Sequence, residues 1–223
     1  MVDVIAIDGP AASGKSTVAS RVAAALQIPY VNTGNMFRAV TRAAQAAGIT
    51  EAESCTEENL APVLAGLQMA YKRNADGVFD LEVNGVFPGA ALRAPEIASL
   101  VSPVATVGCV RDYLKELQRS FAASGMLVME GRDIGTVVFP DAQWKFFITA
   151  SPEERARRRL AQSGENVSGA TLEEVARSIA ERDRIDSSRA IAPLRAAADA
   201  ETIDTTGMTI DDVVSLILAK VKA

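Results

Sequence analysis

A chain of 223 residues with 48% hydrophobic content and a net charge of −5 is long enough for a substantial core, as one α/β domain with an elaboration or as two small domains. The acidic balance offers no global basic field for nucleic acid, so a binder of anionic nucleotides must concentrate its arginines locally. Two cysteines, Cys55 and Cys109, and no histidine leave no zinc-site spacing, argue against a disulfide framework and require any mechanism to do without histidine acid–base chemistry.

The N-terminus has no basic region leading into an apolar core, and no uncharged apolar run approaches a membrane span. The sequence therefore reads as soluble and cytoplasmic. Val4-Ile5-Ala6-Ile7 is a short apolar run suited to a buried parallel strand. It leads into Gly9-Pro10-Ala11-Ala12-Ser13-Gly14-Lys15-Ser16-Thr17, which fits G-x-x-x-x-G-K-[ST], the phosphate-binding loop pattern. Behind the loop, Val18, Val22, Ala25 and Leu26 recur at helical spacing. At such a strand-to-helix turn, backbone N–H groups and the helix N-terminus can surround an anion. Lys15 supplies a mobile cation for outer phosphates, and Ser16 a hydroxyl for Mg²⁺.

Ile28-Pro29-Tyr30-Val31 reads as a second strand and Asn32-Thr33-Gly34 as a turn. A helix follows, with Met36, Val40, Ala43, Ala44 and Ala47 on one face and Gly48 as its stop. Thr56 caps a further helix carrying Leu60, Val63, Leu64 and Leu67. The texture then changes. Leu67-Gln68-Met69-Ala70-Tyr71 is strand-like, Asn74-Ala75-Asp76-Gly77 is a turn, and Phe79, Leu81 and Val83 alternate as in a half-exposed strand. Asn84-Gly85 favours a tight hairpin into Val86-Phe87. A small antiparallel sheet thus interrupts a β/α chain.

Pro95 and Pro103 mark helix starts, and from Val104 a helix runs through Val107, Val110, Leu114, Leu117 and Phe121 to Gly125. Met126-Leu127-Val128-Met129 is an apolar strand with Glu130-Gly131-Arg132-Asp133 at its carboxyl end, the edge where open α/β sheets bind ligands. Residues 144–148 form another strand. Ser151-Pro152-Glu153-Glu154 is a capping box opening a helix that carries Arg155, Arg157, Arg158 and Arg159. A second box, Thr171-Leu172-Glu173-Glu174, opens a helix with Val175 and Ile179 inward, ending in Glu181-Arg182-Asp183-Arg184-Ile185-Asp186. Residues 187–199 read as loop, Thr202-Ile203-Asp204 as a final strand, and Thr209 as the start of a closing helix with Val213, Leu216, Ile217 and Val221 buried. Five short strands alternating with helices predict an α/β fold, a mainly parallel five-stranded sheet flanked by helices, with a small antiparallel β insert. The core is expected over 1–63 and 103–223, and the inserted lobe over 64–102.

Arg38, Arg132 and the Arg155–Arg159 run supply guanidinium forks that suit phosphate oxygens; a solvated helix face is the plain alternative for the run. Basic segments bracket residues 163–170, so a lid over about 155–185 could close on a bound nucleotide.

The chain resembles the bacterial cytidylate (CMP) kinases, P-loop nucleoside-monophosphate kinases. The likeness rests on Ile7-Asp8-Gly9-Pro10 running into the loop, Asn32-Thr33-Gly34-Asn35-Met36-Phe37-Arg38, Gly131-Arg132-Asp133-Ile134-Gly135-Thr136-Val137-Val138-Phe139-Pro140, and Glu181-Arg182-Asp183 to Pro193-Leu194. It implies a fold of the P-loop NTPase type and transfer of a phosphoryl group from ATP to CMP or dCMP in pyrimidine metabolism, with Mg²⁺ at Ser16 and the lobe at 64–102 binding the monophosphate. It further implies that Thr33 and Asp133 contact the cytosine amino group, Arg111 and Arg189 its N3/O2 side, and Asp186 the sugar hydroxyls. Arg38 and Arg132 would hold the monophosphate beside Phe37, residues Gly9, Pro10, Ala11, Ala12, Ser13, Gly14, Lys15, Ser16 and Thr17 the ATP phosphates, and Arg158, Arg159 and Arg182 would serve as lid arginines. Lys15, Arg132, Arg158 and Arg182 would be catalytic. Asn32 and Phe37 stand where the family often has aspartate and tyrosine. The expected partners are small molecules, with no nucleic acid or membrane, and the expected state is a monomer. Two other readings stay open at this point: a P-loop kinase with another acceptor, and a nucleotide-dependent switch, although the N-K-x-D segment of a small GTPase is absent from the sequence.

Overall fold

The computed structural model describes residues 2–161 and 169–222. In chain order the elements are β1 (Val2–Asp8), α1 (Lys15–Leu26), β2 (Tyr30–Asn32), α2 (Thr33–Ala46), α3 (Glu57–Ala65), β3 (Met69–Arg73), β4 (Phe79–Val83), α4 (Pro95–Val104), α5 (Gly108–Phe121), β5 (Leu127–Gly131), β6 (Ala142–Thr149), α6 (Pro152–Ala161), α7 (Leu172–Ser188), β7 (Glu201–Asp204) and α8 (Ile210–Val221). The chain divides into two compact units, Met1–Asn32 with Arg119–Ala223, and Thr33–Gln118.

The first unit holds a five-stranded sheet in the order β2-β5-β1-β6-β7, with every pairing parallel. β1 is central because both its faces are apolar: Val4, Ile5, Ala6 and Ile7 are all fully buried, as a strand covered on two sides must be. Its core joins Ile5, Ile7, Val18, Val22, Val128, Ile148, Val213 and Ile217 from strands and helices. α7 and α8 each begin with a complete capping box, Thr171 with Glu174 and Thr209 with Asp212. α6 starts with Ser151 Oγ accepting from Glu154 N at 3.2 Å, as its Ser-Pro-Glu-Glu start predicts. β5 runs two residues beyond its apolar run, taking in Glu130 and Gly131, and α7 continues to Ser188.

In the second unit, β3 and β4 form the expected antiparallel pair, Met69 opposite Val83 and Arg73 opposite Phe79. Asn84 and Gly85 both take positive φ, 49° and 79°, the geometry of a type I′ turn. Val86 closes it with a single bridge to Val83, so residues 86–87 do not extend into a strand. The compact unit reaches past 64–102 in both directions, since α2 packs on α3 and α4. Two local expectations are corrected. The turn expected at 32–34 is absent, because α2 starts at Thr33 directly after β2; Gly34 falls in its first turn, outside the helix middle where glycine's entropic cost is counted. Pro95 opens α4 as expected, but Pro103 lies in its last turn. Proline lacks an N–H and ends the helix there, and the chain restarts as α5 at Gly108 with Arg111 N donating to Val107 O at 3.2 Å. The lid loop expected over 163–170 lies, but for its last two residues, outside the described residues.

Candidate functional site

β1 has β5 on one side and β6 on the other, so the chain leaves the sheet where the strand order reverses, the crevice that binds ligands in open α/β sheets. The loop over residues 9–14 leaves from that point. A Cβ on Gly9 would lie 2.0 Å from the carbonyl oxygen of Ile148, and its φ is 153°, so only glycine fits. Ala12 also takes a positive φ of 58°, strain of the kind held at ligand-binding turns. α1 begins with no side-chain cap and no acidic residue in its first turn, leaving its N–H groups and positive dipole end for an anion. Lys15 is buried and donates to Pro10 O at 2.9 Å. Burial, with the Arg132 charge adding to it and Glu130 opposing, pushes its ammonium down to about 7, a cost that a nucleotide's phosphate charge would offset.

Side chains from distant segments hold the loop. Asp183 of α7 accepts from Ala11 N at 3.2 Å and from the Arg155 guanidinium, and Arg155 donates to Ala11 O at 3.2 Å. Arg158, expected among the lid arginines, donates to Ser13 O at 3.1 Å, to Thr205 Oγ1 and O at 2.8 Å each, and to Glu154 Oε1 at 2.9 Å. Ser16 Oγ donates to Glu130 Oε1 at 2.7 Å, and Tyr30 Oη reaches the same oxygen at 3.2 Å. Asn32 Nδ2 donates to Tyr30 Oη at 3.1 Å, a bond that needs an amide donor. The Ser16 hydroxyl and Glu130 carboxylate are hard oxygen donors suited to a divalent cation. Among the described residues no three His, Cys, Asp or Glu side chains cluster as a metal cage.

At the carboxyl edge of β5, the sequence-predicted Arg132, Asp133, Asp186 and Arg189 come together. Arg132 Nε donates to Asp186 Oδ2 at 3.0 Å; Arg189 lies 3.5 Å from Asp186 and 3.7 Å from Asp133. Burial raises the Asp186 carboxyl, yet Arg132, Arg182 and Arg189 together hold it below its ordinary value. In the second unit, Thr33 and Arg38 are buried, and Arg38 donates to Leu92 O at 3.2 Å. The Arg111 guanidinium lies 5.5 Å from the centroid of the Phe37 ring and donates to Ala105 O at 3.0 Å. Phe37 therefore supports Arg111 through its π face, which needs no phenol hydroxyl.

Three acids that the sequence reading gave no role stand here: Glu130 and Asp183 in these arrangements, and Asp8 at the end of β1, accepting from Ile134 N at 2.9 Å and Gly135 N at 2.8 Å. Asp8 and Glu130 are buried acids at the carboxyl ends of apolar strands, and a charge interrupting such a run is the signal that marks them. Asp183 carries no such mark, since charges alternate around it.

A sequence model of the family described as cytidylate kinase matches residues 5–223. A cytidylate kinase of Pelotomaculum thermopropionicum is 45% identical over 219 residues, 98% of this chain and 96% of its own. One of Parabacteroides distasonis is 44% identical over 210 residues, 94% of this chain and 92% of its own. A solved structure of an uncharacterised protein from Eubacterium ventriosum has a TM-score of 0.55 at 12% identity, covering 99% of this chain and 98% of its own, a likeness of fold alone. With the phosphate loop at the sheet's switch point, an arginine–aspartate cluster beside it and this match along almost its entire length, the chain belongs to the cytidylate kinase family.

Proposed function

We propose that this chain transfers the γ-phosphoryl group of ATP to CMP, and to dCMP, giving ADP and CDP or dCDP. Beyond family membership, the observation that carries the reading is the group of Arg132, Asp133, Asp186 and Arg189 at the end of β5, the strand paired with the one that feeds the phosphate loop. The carboxylates accept from hydroxyl and amino groups, and the guanidinium forks suit phosphate oxygens.

Loop amides, α1 and Lys15 hold the ATP phosphates. Arg132, Arg158 and Arg182 stabilise the charge that spreads over the moving phosphoryl group. The acceptor oxygen belongs to an ionised phosphate, so transfer needs alignment and charge stabilisation more than a strong base. Mg²⁺, held at Ser16 with Glu130 behind it, would supply neutralisation of the phosphate charge. Thr33, Phe37, Arg38, Arg111, Arg132, Asp133, Asp186 and Arg189 bind CMP, with the lobe over 64–102 belonging to the monophosphate side. The chain acts as a monomer on small molecules, not nucleic acid; the free Cys55 and Cys109 suit a reducing cytoplasm.

A coupled ADP-release assay with CMP, dCMP, UMP, AMP and GMP tests the reading. CMP and dCMP should give the highest kcat/KM. Faster turnover of UMP or a purine monophosphate, or nucleotide hydrolysis independent of any acceptor, would sink it. A measured mass of a dimer in solution would overturn the monomer.

A further inference from the structure

Asp133 stands at the entrance to the turn Ile134–Val138, with φ −147° and ψ 22°. An aspartate at that position ordinarily folds its carboxylate back onto the first backbone N–H groups of the turn, because those donors lack partners inside it. Asp133 makes no such bond. The donors are taken from elsewhere: Asp8 accepts from Ile134 N through Oδ1 at 2.9 Å and from Gly135 N through Oδ2 at 2.8 Å. Asp8 is the last residue of β1 and only 5% exposed. A Cβ at Gly135 would press on the Lys145 stem at 3.2 Å, while lying at ordinary contact, 3.5 Å, from Asp8 Oδ2. At the far end of the turn, Arg119 donates to the carbonyls of Val137 and Val138 at 3.2 and 3.0 Å, and Lys145 donates to Pro140 O. The segment is held at both ends by side chains from outside it.

We infer that Asp8 is a positioning residue for substrate selection: it caps the 134–138 turn in place of Asp133, and so keeps the Asp133 carboxylate directed at the base of CMP instead of at its own backbone. The inference rests on the reading of Asp133 as a group that contacts cytosine. Cytosine presents an amino donor where uracil presents a carbonyl, and a carboxylate accepts only. A carboxylate drawn back into a cap loses that discrimination. With Asp8 gone, the N–H groups of residues 134 and 135 lack their partner, and Asp133 is the acceptor already at the capping position.

A double-mutant cycle of Asp8→Ala and Asp133→Ala tests this, with CMP, UMP and ATP kinetics measured for each protein. Asp8→Ala should raise KM for CMP and lower the CMP/UMP ratio of kcat/KM by about tenfold, with KM for ATP changed by less than about twofold; in the Asp133→Ala background it should leave the ratio unchanged. An equal further loss in both backgrounds, equal losses on CMP and UMP, or a parallel rise in KM for ATP would overturn it. Asp8→Asn keeps the shape and one acceptor oxygen, and covers the event that Asp8→Ala does not fold. Its CMP/UMP ratio should fall between those of the parent and Asp133→Ala, and an unchanged ratio overturns the inference. Amide exchange at Gly135 is the readout that does not depend on substrate. Protection should drop further in the double variant than in Asp8→Ala, because Asp133 takes over the cap in the single variant, and equal protection in the two overturns the inference. If Asp133→Ala alone leaves the CMP/UMP ratio unchanged, the reading of Asp133 has failed, and the exchange result still decides the cap.

Discussion

Lys15 is buried with its ammonium on Pro10 O at 2.9 Å and like charge from Arg132 near it. No core packing requires a cation there, so its charge is placed for an anion that arrives later. Lys15→Ala should lower kcat by about 100-fold or more, the size of losing one preorganised charge-stabilising donor. Its melting temperature should stay at or above that of the parent, because a buried cation is costly. A folded variant with near-parental turnover would remove the loop lysine from catalysis. Asp8 offers a test by pH. Burial raises its carboxyl from 3.8 to about 7, against the N–H groups of Gly135 and Ile134 and with Asp133 adding to the rise and Lys15 opposing. A carboxyl raised on folding contributes stability that is complete below about pH 4 and is lost as pH climbs through about 7. Asp8→Asn does not titrate. The stability of the parent minus that of Asp8→Asn, from urea unfolding, should therefore fall between pH 5 and pH 8, by more than about 1 kcal/mol given about 1.4 kcal/mol per pKa unit. A constant difference would mean that the two N–H donors keep the carboxyl ionised throughout.

Helix boundaries were legible where capping chemistry is local. Thr171-Leu172-Glu173-Glu174 opens α7 with both reciprocal bonds in place, and Thr209 does the same for α8 with Asp212. Pro103 was misread because a proline suits a first turn and is also tolerated where a helix is about to stop; which applies depends on packing beyond the local sequence. The two arginine-bearing helices have a purpose their charge pattern hides. Ala156 of α6 and Val175 and Ile179 of α7 share a small core with Ala11 of the loop, and Asp183 ties Ala11 N to Arg155. Asp183→Ala removes that partner from Arg155, which keeps its bonds to Ala150 O and Ala11 O, so the loss is on the order of 1–3 kcal/mol. The melting temperature should fall and KM for ATP should rise, as the loop loses its tether to α7. A drop in stability with KM for ATP unchanged in the folded fraction would show that this tether does not shape the loop.

At the scale of the whole molecule, the described residues contain no cluster of three metal-ligating side chains, and the cation is expected to arrive with nucleotide. EDTA should abolish turnover while leaving the melting temperature of the nucleotide-free protein unchanged. ATP with a divalent cation at about 100 times its Kd should add about 2.7 kcal/mol of stability by mass action; a fall in melting temperature on EDTA alone would instead reveal a resident structural metal. The sequence by itself determined what spacing and periodicity carry: the phosphate-binding loop between an apolar strand and a helix, the alternation that makes a parallel sheet, the Asn84-Gly85 hairpin, and the Thr171 capping box in full. It also brought Arg132, Asp133, Asp186 and Arg189 into view through likeness to a family. Only the tertiary structure decided that β1 lies between β5 and β6. That order sets Asp8 against residue 134 and Ser16 against Glu130, and α7 folding over the loop sets Ala11 against Asp183, pairs separated by 126, 114 and 172 positions. Each is a hydrogen bond formed by strand neighbours or by a helix folded back over the loop. Such contacts depend on the order in which strands join the sheet, and local propensity carries no record of that order.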